Sequence, residues 1–339
     1  MARAEGPAGE GAASGGVGLA ERLLAGERSA VAPALNLVDD SREEQQRAAL
    51  EMLDHLAREE RPGGALRIGI TGAPGAGKST LLDALVRALR QREKSVGIIA
   101  VDPSSQRSGG ALLGDRFRVR SGAGDDAVFL RSMAARNRLG GLADATFASV
   151  SVLAAVFDTI FVETVGIGQS ESDVAQLVDS LVFVAQPGAG DTLQFMKAGI
   201  LELPDVFAVN KADLGAAAER SANELRAGLG LGTAAGEAWQ PPVLLLSARD
   251  GDGIDALLDA LFAHRDHLEK QGDLAGRRRR ALAAHVRESL DRRYGSFGLE
   301  QVGGRARLGE RLGAVEGRSA TSLIAELGRE IEQGLGRAR

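Results

Sequence analysis

Cysteine is absent from the 339-residue chain. Its absence excludes disulfide bonds, thiolate metal sites, iron–sulfur clusters and cysteine nucleophiles, and it fits a reducing cytoplasm. Long apolar runs are missing too, because none approaches the roughly 18 residues needed to span a bilayer, and the start of the chain lacks the apolar core of a signal peptide. We therefore expect a cytoplasmic protein without a membrane partner, whose chemistry uses oxygen and nitrogen groups.

An excess of positive charge is also missing. The chain carries 41 Lys and Arg against 46 Asp and Glu, a formal charge of -5, which disfavours nucleic acid as a partner. The basic run Arg277 to Arg280 is therefore expected on a solvated or dimer-facing helix. His264 and His267 lie three residues apart, and with no cysteine nearby we expect surface histidines rather than a metal site.

Lysine is rare in this arginine-rich chain. A retained lysine indicates a position that needs a compact point charge. The lysines are Lys78, Lys94, Lys197, Lys211 and Lys270.

The chain divides into four segments by pattern. Residues 1–18 have no periodic apolar pattern and are expected to be a disordered leader. Residues 19–64 have helical periodicity and predict a helical N-terminal extension. Residues 65–268 alternate short apolar runs with helical stretches, and residues 269–339 return to a helical, basic pattern that predicts a C-terminal arm.

The apolar runs of the central segment predict the strands. Strands that alternate with helices of ten or more residues imply crossover units and a parallel sheet. The sequence therefore predicts an α/β fold: a mostly parallel sheet with helices on both faces, an N-terminal helical prefix and a C-terminal helical arm. The predicted strands are 66–71, 96–101, 128–131, 159–162, 181–185, 206–209 and 243–246.

A phosphate-binding loop follows the first predicted strand. Residues 72–79, GAPGAGKS, match the P-loop pattern and open a helix, which is the context that this motif requires. Its backbone N–H groups surround a phosphate, Lys78 neutralises the β and γ oxygens, and Ser79 ligates magnesium. The predicted nucleotide-binding residues here are Gly75, Ala76, Gly77, Lys78, Ser79 and Thr80.

The motif NKAD at residues 210–213 predicts a guanine site at the end of the sixth predicted strand. The Asp213 carboxylate can accept hydrogen bonds from guanine N1–H and the exocyclic amine, a pair that adenine lacks. Lys211 is expected to cover the ring and Asn210 to tie its loop to the P-loop. Ser247, Ala248 and Arg249 follow the last strand, where a backbone N–H could meet the guanine carbonyl.

Carboxylates at other strand ends predict the magnesium and water-positioning groups. Glu163 stands where many GTPases have aspartate, and Gly166 is expected at the γ-phosphate. The glutamine that small GTPases place directly after this glycine is missing, since Ile167 follows. Asp102 and Asp115 flank a polar, glycine-containing segment that is typical of a mobile switch near Mg²⁺.

These motifs in this order resemble the MeaB/ArgK family. The resemblance covers about residues 19–335 and includes GITGAPGAGKST, AVDPSSQRSGG, LLGDRFR, VETVGIGQSE and QPGAGDTLQFMKAGI followed by NKAD. That family comprises SIMIBI-class P-loop GTPases, chaperones of adenosylcobalamin-dependent acyl-CoA mutases. The resemblance implies a GTP hydrolase with GTP or GDP and Mg²⁺ as ligands.

The resemblance also implies partners and roles that spacing alone does not show. It implies that GTP binding and hydrolysis are coupled to loading of adenosylcobalamin from an adenosyltransferase, and to protection and repair of the mutase. It implies a homodimer joined through the C-terminal arm. Lys78, Asp102, Asp115 and Glu163 would act at the nucleotide, with Ser79 and the three acids on the metal.

One segment of the resemblance concerns the partner. Residues 186–197 resemble the family's additional, partner-responsive switch, in which Lys197 would be delivered to the active site. Residues 131–138 depart from the Pro/Ser-rich stretch of chaperones for methylmalonyl-CoA mutase. The substrate of the mutase therefore stays open between methylmalonyl-, isobutyryl-, 2-hydroxyisobutyryl- and ethylmalonyl-CoA.

Three other function classes are alternatives. A nickel-insertion GTPase of the SIMIBI class would use His and Cys clusters, which this chain lacks. An amino-acid-transport ATPase or kinase conflicts with the guanine preference of Asp213. A purely structural GTP-binding scaffold would not need the acids Asp102, Asp115 and Glu163.

Overall fold

The computed structural model describes residues 15–59, 64–102, 124–134, 141–164, 174–188, 202–230 and 239–337. Seven strands in this part of the chain form one sheet in the order β3-β2-β4-β1-β5-β6-β7. Every neighbouring pair is parallel. The strands are β1 (Leu66–Gly72), β2 (Val96–Asp102), β3 (Val128–Ala134), β4 (Thr159–Thr164), β5 (Ser180–Ala185), β6 (Val206–Val209) and β7 (Val243–Leu245).

Helices surround the sheet and continue beyond it. They are α1 (Gly16–Leu24), α2 (Val31–Asp39), α3 (Glu43–Arg58), α4 (Lys78–Gln91), α5 (Gly141–Ala154), α6 (Ala216–Gly230), α7 (Ile254–Lys270), α8 (Leu274–Glu300), α9 (Gly304–Gly313) and α10 (Ala320–Arg337). One face of the sheet shares a hydrophobic core with α1, α2, α3 and α5. The other face packs against α4 and α7.

All seven predicted strands are present, so the predicted parallel α/β fold is confirmed. The apolar runs were sufficient because strands covered on both faces consist almost entirely of buried apolar residues. The largest difference is at β3, which extends to Ala134 rather than 131. This extension pairs with β2 as far as Asp102.

The strand order places the phosphate-binding loop at the centre of the sheet. β1 lies between β4 and β5, and Ile70 pairs with Glu163 of β4 and with Val182 of β5. The loops that follow these parallel strands therefore leave the same edge of the sheet, where open α/β sheets bind their ligands.

The N-terminal helices are part of the main core. α1 begins at Gly16, three residues before the predicted start of the helical extension, and residues 1–14 lie outside the described residues. Gly16 packs so closely on α3 that a Cβ atom there would lie 2.0 Å from the carbonyl oxygen of Ala48. This approach fixes α1 against α3.

The C-terminal helices form a core of their own and are tied to the sheet by ion pairs. α8 bends at Gly295, where φ is +65°. Arg278 binds the carboxylate of Asp179 at 2.7 and 2.8 Å, and Arg277 binds Asp205 at 2.8 and 3.1 Å. The prediction of a solvated or dimer-facing run is therefore wrong for Arg277 and Arg278.

The prediction of surface histidines is wrong for His264. Its ring is 1% exposed, and its Nδ1 lies 2.7 Å from the hydroxyl oxygen of Ser180. The ring also packs against Trp239, with 4.8 Å between the ring centroids. None of the helices in the described ranges has the length and apolar character needed to cross a membrane.

Candidate functional site

The loop between β1 and α4 is built by glycines with positive φ. Gly75 and Gly77 have φ of +80° and +89°, a region that L side chains rarely adopt. A Cβ on Gly77 would also lie 2.4 Å from the side-chain nitrogen of Asn210. Both constraints require glycine, and the loop that results opens the N-terminus of α4, which favours anions.

Lys78 is held inside this loop. Its Nζ donates to the carbonyl oxygens of Gly72 at 2.7 Å and Ala73 at 3.0 Å, and the residue is 7% exposed. A buried ammonium needs such acceptors or a bound anion. The arrangement therefore places a fixed positive charge where a phosphate enters the loop.

Ser79 and Glu163 meet at the end of the central strands. The Ser79 hydroxyl donates to Oε1 of Glu163 at 2.9 Å. Burial raises the pKa of Glu163 to about 7, although the Ser79 hydrogen bond and the charge of Lys78 oppose the shift. Among the residues that the structure describes, the buried Oε2 atom of Glu163 has no hydrogen-bond partner.

This pair suits a magnesium ion. Mg²⁺ prefers carboxylate, hydroxyl and water oxygens and retains several of its waters. A buried carboxylate oxygen without a partner beside a serine hydroxyl supplies that chemistry, and a cation would offset the cost of burying the charged carboxylate. Glu163 and Ser79 therefore fit the metal that a P-loop nucleotide carries.

Asn210 joins three segments of the site. Its side-chain NH₂ donates to the carbonyl oxygen of Ala76 at 2.8 Å, and its side-chain oxygen accepts the backbone N–H of Ala248 at 3.0 Å. The residue is 3% exposed. Asn210 lies in the loop after β6. It therefore links that loop to the phosphate loop, as the sequence predicts, and also to the loop that follows β7.

Lys211 reaches from the loop after β6 to the phosphate loop. Its backbone has φ of +62°, and its Nζ donates to the carbonyl oxygen of Gly75 at 2.8 Å and to Oε1 of Gln186 at 2.9 Å. The aliphatic stem of Lys211 is thus fixed at both ends beside the entrance of the loop.

Asp213 faces Ser247 and Arg249. The Ser247 hydroxyl lies 3.1 Å from Oδ1 of Asp213, and Arg249 Nη1 lies 3.3 Å from Oδ2. Arg249 is in turn paired with Asp250 at 2.9 and 3.0 Å. The structure therefore brings the predicted base-recognition residues of two separate loops together.

The structure describes the remaining predicted site residues to different extents. Thr80 lies exposed in the first turn of α4. Asp102 is the last residue of β2, so its backbone is at the same edge of the sheet, but its side chain is not described. Asp115, Gly166 and Lys197 lie outside the described residues.

Sequence reasoning missed Gln186 and Asp250 as parts of the site. Gln186 directly follows β5, at the carboxyl end of a strand beside the central one, and this position is the signal that could have found it. Asp250 has no such signal, since it does not directly follow a strand; it pairs with the adjacent Arg249 and lies 2.8 Å from the hydroxyl oxygen of Ser247. Within the described ranges, no group of three or more His, Asp or Glu residues is arranged to hold a metal ion.

Comparison with known proteins identifies the family. The sequence pattern of the family described as methylmalonyl-CoA mutase-associated GTPase MeaB matches residues 31–294. A putative GTPase of Pyrococcus abyssi is 43% identical over 272 residues, 79% of this chain and 82% of its own length. GTPase ArgK of Escherichia coli is 36% identical over 277 residues, 80% of this chain and 82% of that one.

Two further similarities extend the comparison. The mitochondrial methylmalonic aciduria type A homolog of Mus musculus is 35% identical over 267 residues, 76% of this chain and 64% of its own length. A solved structure described as an LAO/AO transport system kinase has a TM-score of 0.66 and 25% identity, covering 94% of this chain and 97% of that one. The chain is therefore a guanine-nucleotide-binding GTP hydrolase, and it belongs to the family of methylmalonyl-CoA mutase-associated GTPases, MeaB.

Proposed function

We propose that this protein is a GTPase chaperone of an adenosylcobalamin-dependent acyl-CoA mutase such as methylmalonyl-CoA mutase. GTP binding and hydrolysis would be coupled to loading of the cofactor from an adenosyltransferase, and to protection and repair of the mutase. The observation that carries the proposal is the match over residues 31–294 to a family described as mutase-associated.

The phosphate loop supplies the first part of the chemistry. Lys78, at the base of the loop, would exchange its two backbone carbonyl acceptors for the β and γ oxygens of GTP. The backbone N–H groups of Gly75 to Thr80 would surround the β-phosphate at the N-terminus of α4. These contacts orient the γ-phosphorus for attack by water and stabilise GDP as the leaving group.

Glu163 and Ser79 would hold Mg²⁺, together with Asp102 and Asp115. When bound there, the ion would neutralise negative charge on the phosphate oxygens. Glu163 would in addition help to orient the attacking water, because its carboxylate lies near the end of β4 beside the phosphate loop.

The base would be read by residues of two loops. The two oxygens of Asp213 would accept N1–H and the exocyclic amine of guanine, while the stem of Lys211 covers the ring. Ser247 orients Asp213 from the other side. Asn210 holds the base loops and the phosphate loop at a fixed separation, so both ends of the nucleotide would be bound by one rigid frame.

The C-terminal arm, residues 269–339, would join two copies in a cytoplasmic homodimer. Phe297 supports this assignment, since it is 66% exposed just beyond the bend of α8 at Gly295. An exposed aromatic side chain of this size is typical of protein interfaces. The helices of residues 19–64 would serve as an extension of the GTPase domain, residues 65–268.

The mutase would act through residues 186–197. Because the chain has no glutamine after Gly166, we expect slow hydrolysis alone and faster hydrolysis when the mutase is bound. Lys197 would then add a positive charge at the γ-phosphate. The decisive test measures GTP turnover of the purified protein with and without methylmalonyl-CoA mutase.

The expected result is stimulation of the wild type by the mutase and a loss of most of that stimulation in Lys197→Ala. Lys270→Ala is the matched control, because Lys270 is exposed at the end of α7 and should leave stimulation intact. Turnover that is unchanged by each candidate mutase would overturn the chaperone proposal. Full stimulation of Lys197→Ala would overturn only the role of Lys197.

A further inference from the structure

Gln186 occupies a position that links three parts of the nucleotide site. It is the residue directly after β5, and Lys211 is the second residue after β6. β5 and β6 are neighbours with Ala185 opposite Val209, and the backbone N–H of Asn210 donates to Ala185 O at 2.9 Å. The sheet itself therefore brings Gln186 beside Lys211.

The contact between the two side chains is direct. Oε1 of Gln186 accepts Nζ of Lys211 at 2.9 Å, while the same nitrogen donates to Gly75 O at 2.8 Å. A Cβ built on Gly75 would lie 3.9 Å from the same Gln186 oxygen. The ammonium of Lys211 is thus held between the phosphate loop and the first residue of segment 186–197.

We infer that Gln186 is a positioning residue for guanine-nucleotide binding. Lys211 has a long side chain on a backbone with φ of +62°, and its stem must lie along the purine ring to cover it. Ordering such a side chain costs conformational entropy. Because Gln186 fixes the ammonium in advance, this cost is met before the nucleotide arrives, and the nucleotide is retained longer.

The inference rests on the proposed function in one respect, the assignment of Lys211 to the face of the guanine ring. It adds a residue that neither the P-loop pattern nor the NKAD motif contains.

The experiment measures the dissociation rates of fluorescent GDP and IDP analogues from the isolated full-length protein. Gln186→Met keeps the length of the side chain and removes the acceptor, and should speed dissociation of both nucleotides about fivefold. The ratio of the two rates should stay at the wild-type value, since the ring face is common to both bases. Gln186→Glu keeps an acceptor and should stay within about twofold of wild type.

Gln176→Met is the matched control. Gln176 also makes a side-chain hydrogen bond, to Glu288 at 3.0 Å, but Glu288 lies on α8. The nucleotides should therefore dissociate from Gln176→Met at the wild-type rates. Thermal melting of each variant verifies that it is folded. Wild-type dissociation rates in folded Gln186→Met would overturn the inference, and so would a changed ratio of GDP to IDP, which would assign the effect to Asp213.

Asp213→Asn separates this inference from the proposed base site. If Asp213→Asn lowers the preference for GDP over IDP while Gln186→Met behaves as wild type, only the role of Gln186 fails. If Asp213→Asn keeps that preference, the proposed base site fails independently of Gln186.

Discussion

The hydroxyl of Ser79 donates to Oε1 of Glu163 at 2.9 Å, although 84 residues separate the two in sequence. The contact follows from topology, because β1 and β4 are adjacent parallel strands with Ile70 opposite Glu163. The first turn of α4, which follows β1, therefore lies beside the end of β4. The result is a buried carboxylate beside the phosphate loop.

Glu163→Gln should slow GTP hydrolysis and retain GTP binding. The substitution keeps the size of the side chain but removes its negative charge and replaces one carboxylate oxygen with an NH₂ donor. We therefore expect a decrease of about a hundredfold in turnover. Single-turnover hydrolysis and calorimetric binding of GTP measure the two effects separately. Thr164→Val is the control: this buried neighbour loses only a 3.5 Å contact with Thr71 and should hydrolyse GTP normally. Normal turnover in Glu163→Gln would leave Glu163 a structural role only.

Asp213→Asn should weaken GDP binding by about 2–3 kcal/mol, which is typical for loss of a charge-assisted hydrogen-bond pair. The wild type should discriminate strongly against ATP, because adenine offers no matching pair of donors. Isothermal titration calorimetry with GDP, GTP and ATP tests both statements. Asp259→Asn, an exposed carboxylate on α7 paired with Arg92, is the control and should bind as the wild type does. Equal affinity of the wild type for ATP and GTP would contradict the guanine assignment.

The strands and the phosphate loop were predictable because their signals are local. Doubly covered parallel strands are continuous apolar runs, and the P-loop pattern contains the glycines that the positive φ of Gly75 and Gly77 requires. The positions of polar residues at the strand ends also predicted which of them lie together at one edge of the sheet. Glu163 is the second-last residue of β4, Asn210 directly follows β6, and Ser247 is the second residue after β7.

The arginine run shows what the sequence could not predict. Arg277, Arg278, Arg279 and Arg280 are chemically identical, yet two of them bind carboxylates of the sheet domain and two bind Glu316 and Asp273. The partners Asp205 and Asp179 are 72 and 99 residues away. Only the tertiary position of α8 decides which arginine is buried.

The ion pair of Arg278 and Asp179 should be critical for attaching the arm. Burial alone would raise the pKa of Asp179, but the hydrogen bonds and charge of Arg278 outweigh it and hold this pKa below its usual value. Asp179→Asn removes the buried negative charge that balances the partly buried Arg278 and should cost about 3–5 kcal/mol in the free energy of unfolding. Urea unfolding measures the loss.

The double variant Asp179→Asn with Arg278→Met should recover part of that loss, since it removes the cation as well. Asp273→Asn is the control, because its pair with Arg280 is exposed at the surface and should contribute within about 1 kcal/mol. Equal effects of Asp179→Asn and Asp273→Asn on stability would contradict the anchoring role of Arg278.

His264 should make stability depend on pH near neutrality. Burial lowers the pKa of His264, and the charges of Arg277 and His267 lower it further, while Asp205 and Asp179 oppose the shift. The folded protein therefore keeps the ring neutral at a pH where the unfolded chain, with an ordinary histidine, binds a proton. The contribution of His264 is fully present above the unfolded pKa of about 6.5 and is lost as the pH falls from there toward the lower folded value.

The free energy of unfolding of the wild type should accordingly fall between pH 7.5 and 5.5, and the fall should be smaller in His264→Gln, which cannot titrate. His267→Gln, three residues along the same helix, is the control, because it keeps the buried His264 ring, and its slope should stay closer to that of the wild type than the slope of His264→Gln. Each variant exchanges one histidine of α7 for glutamine, so the difference between the two slopes reports on the buried ring. If the free energy of unfolding falls as steeply with pH in His264→Gln as in His267→Gln, protonation of His264 does not cause the loss of stability.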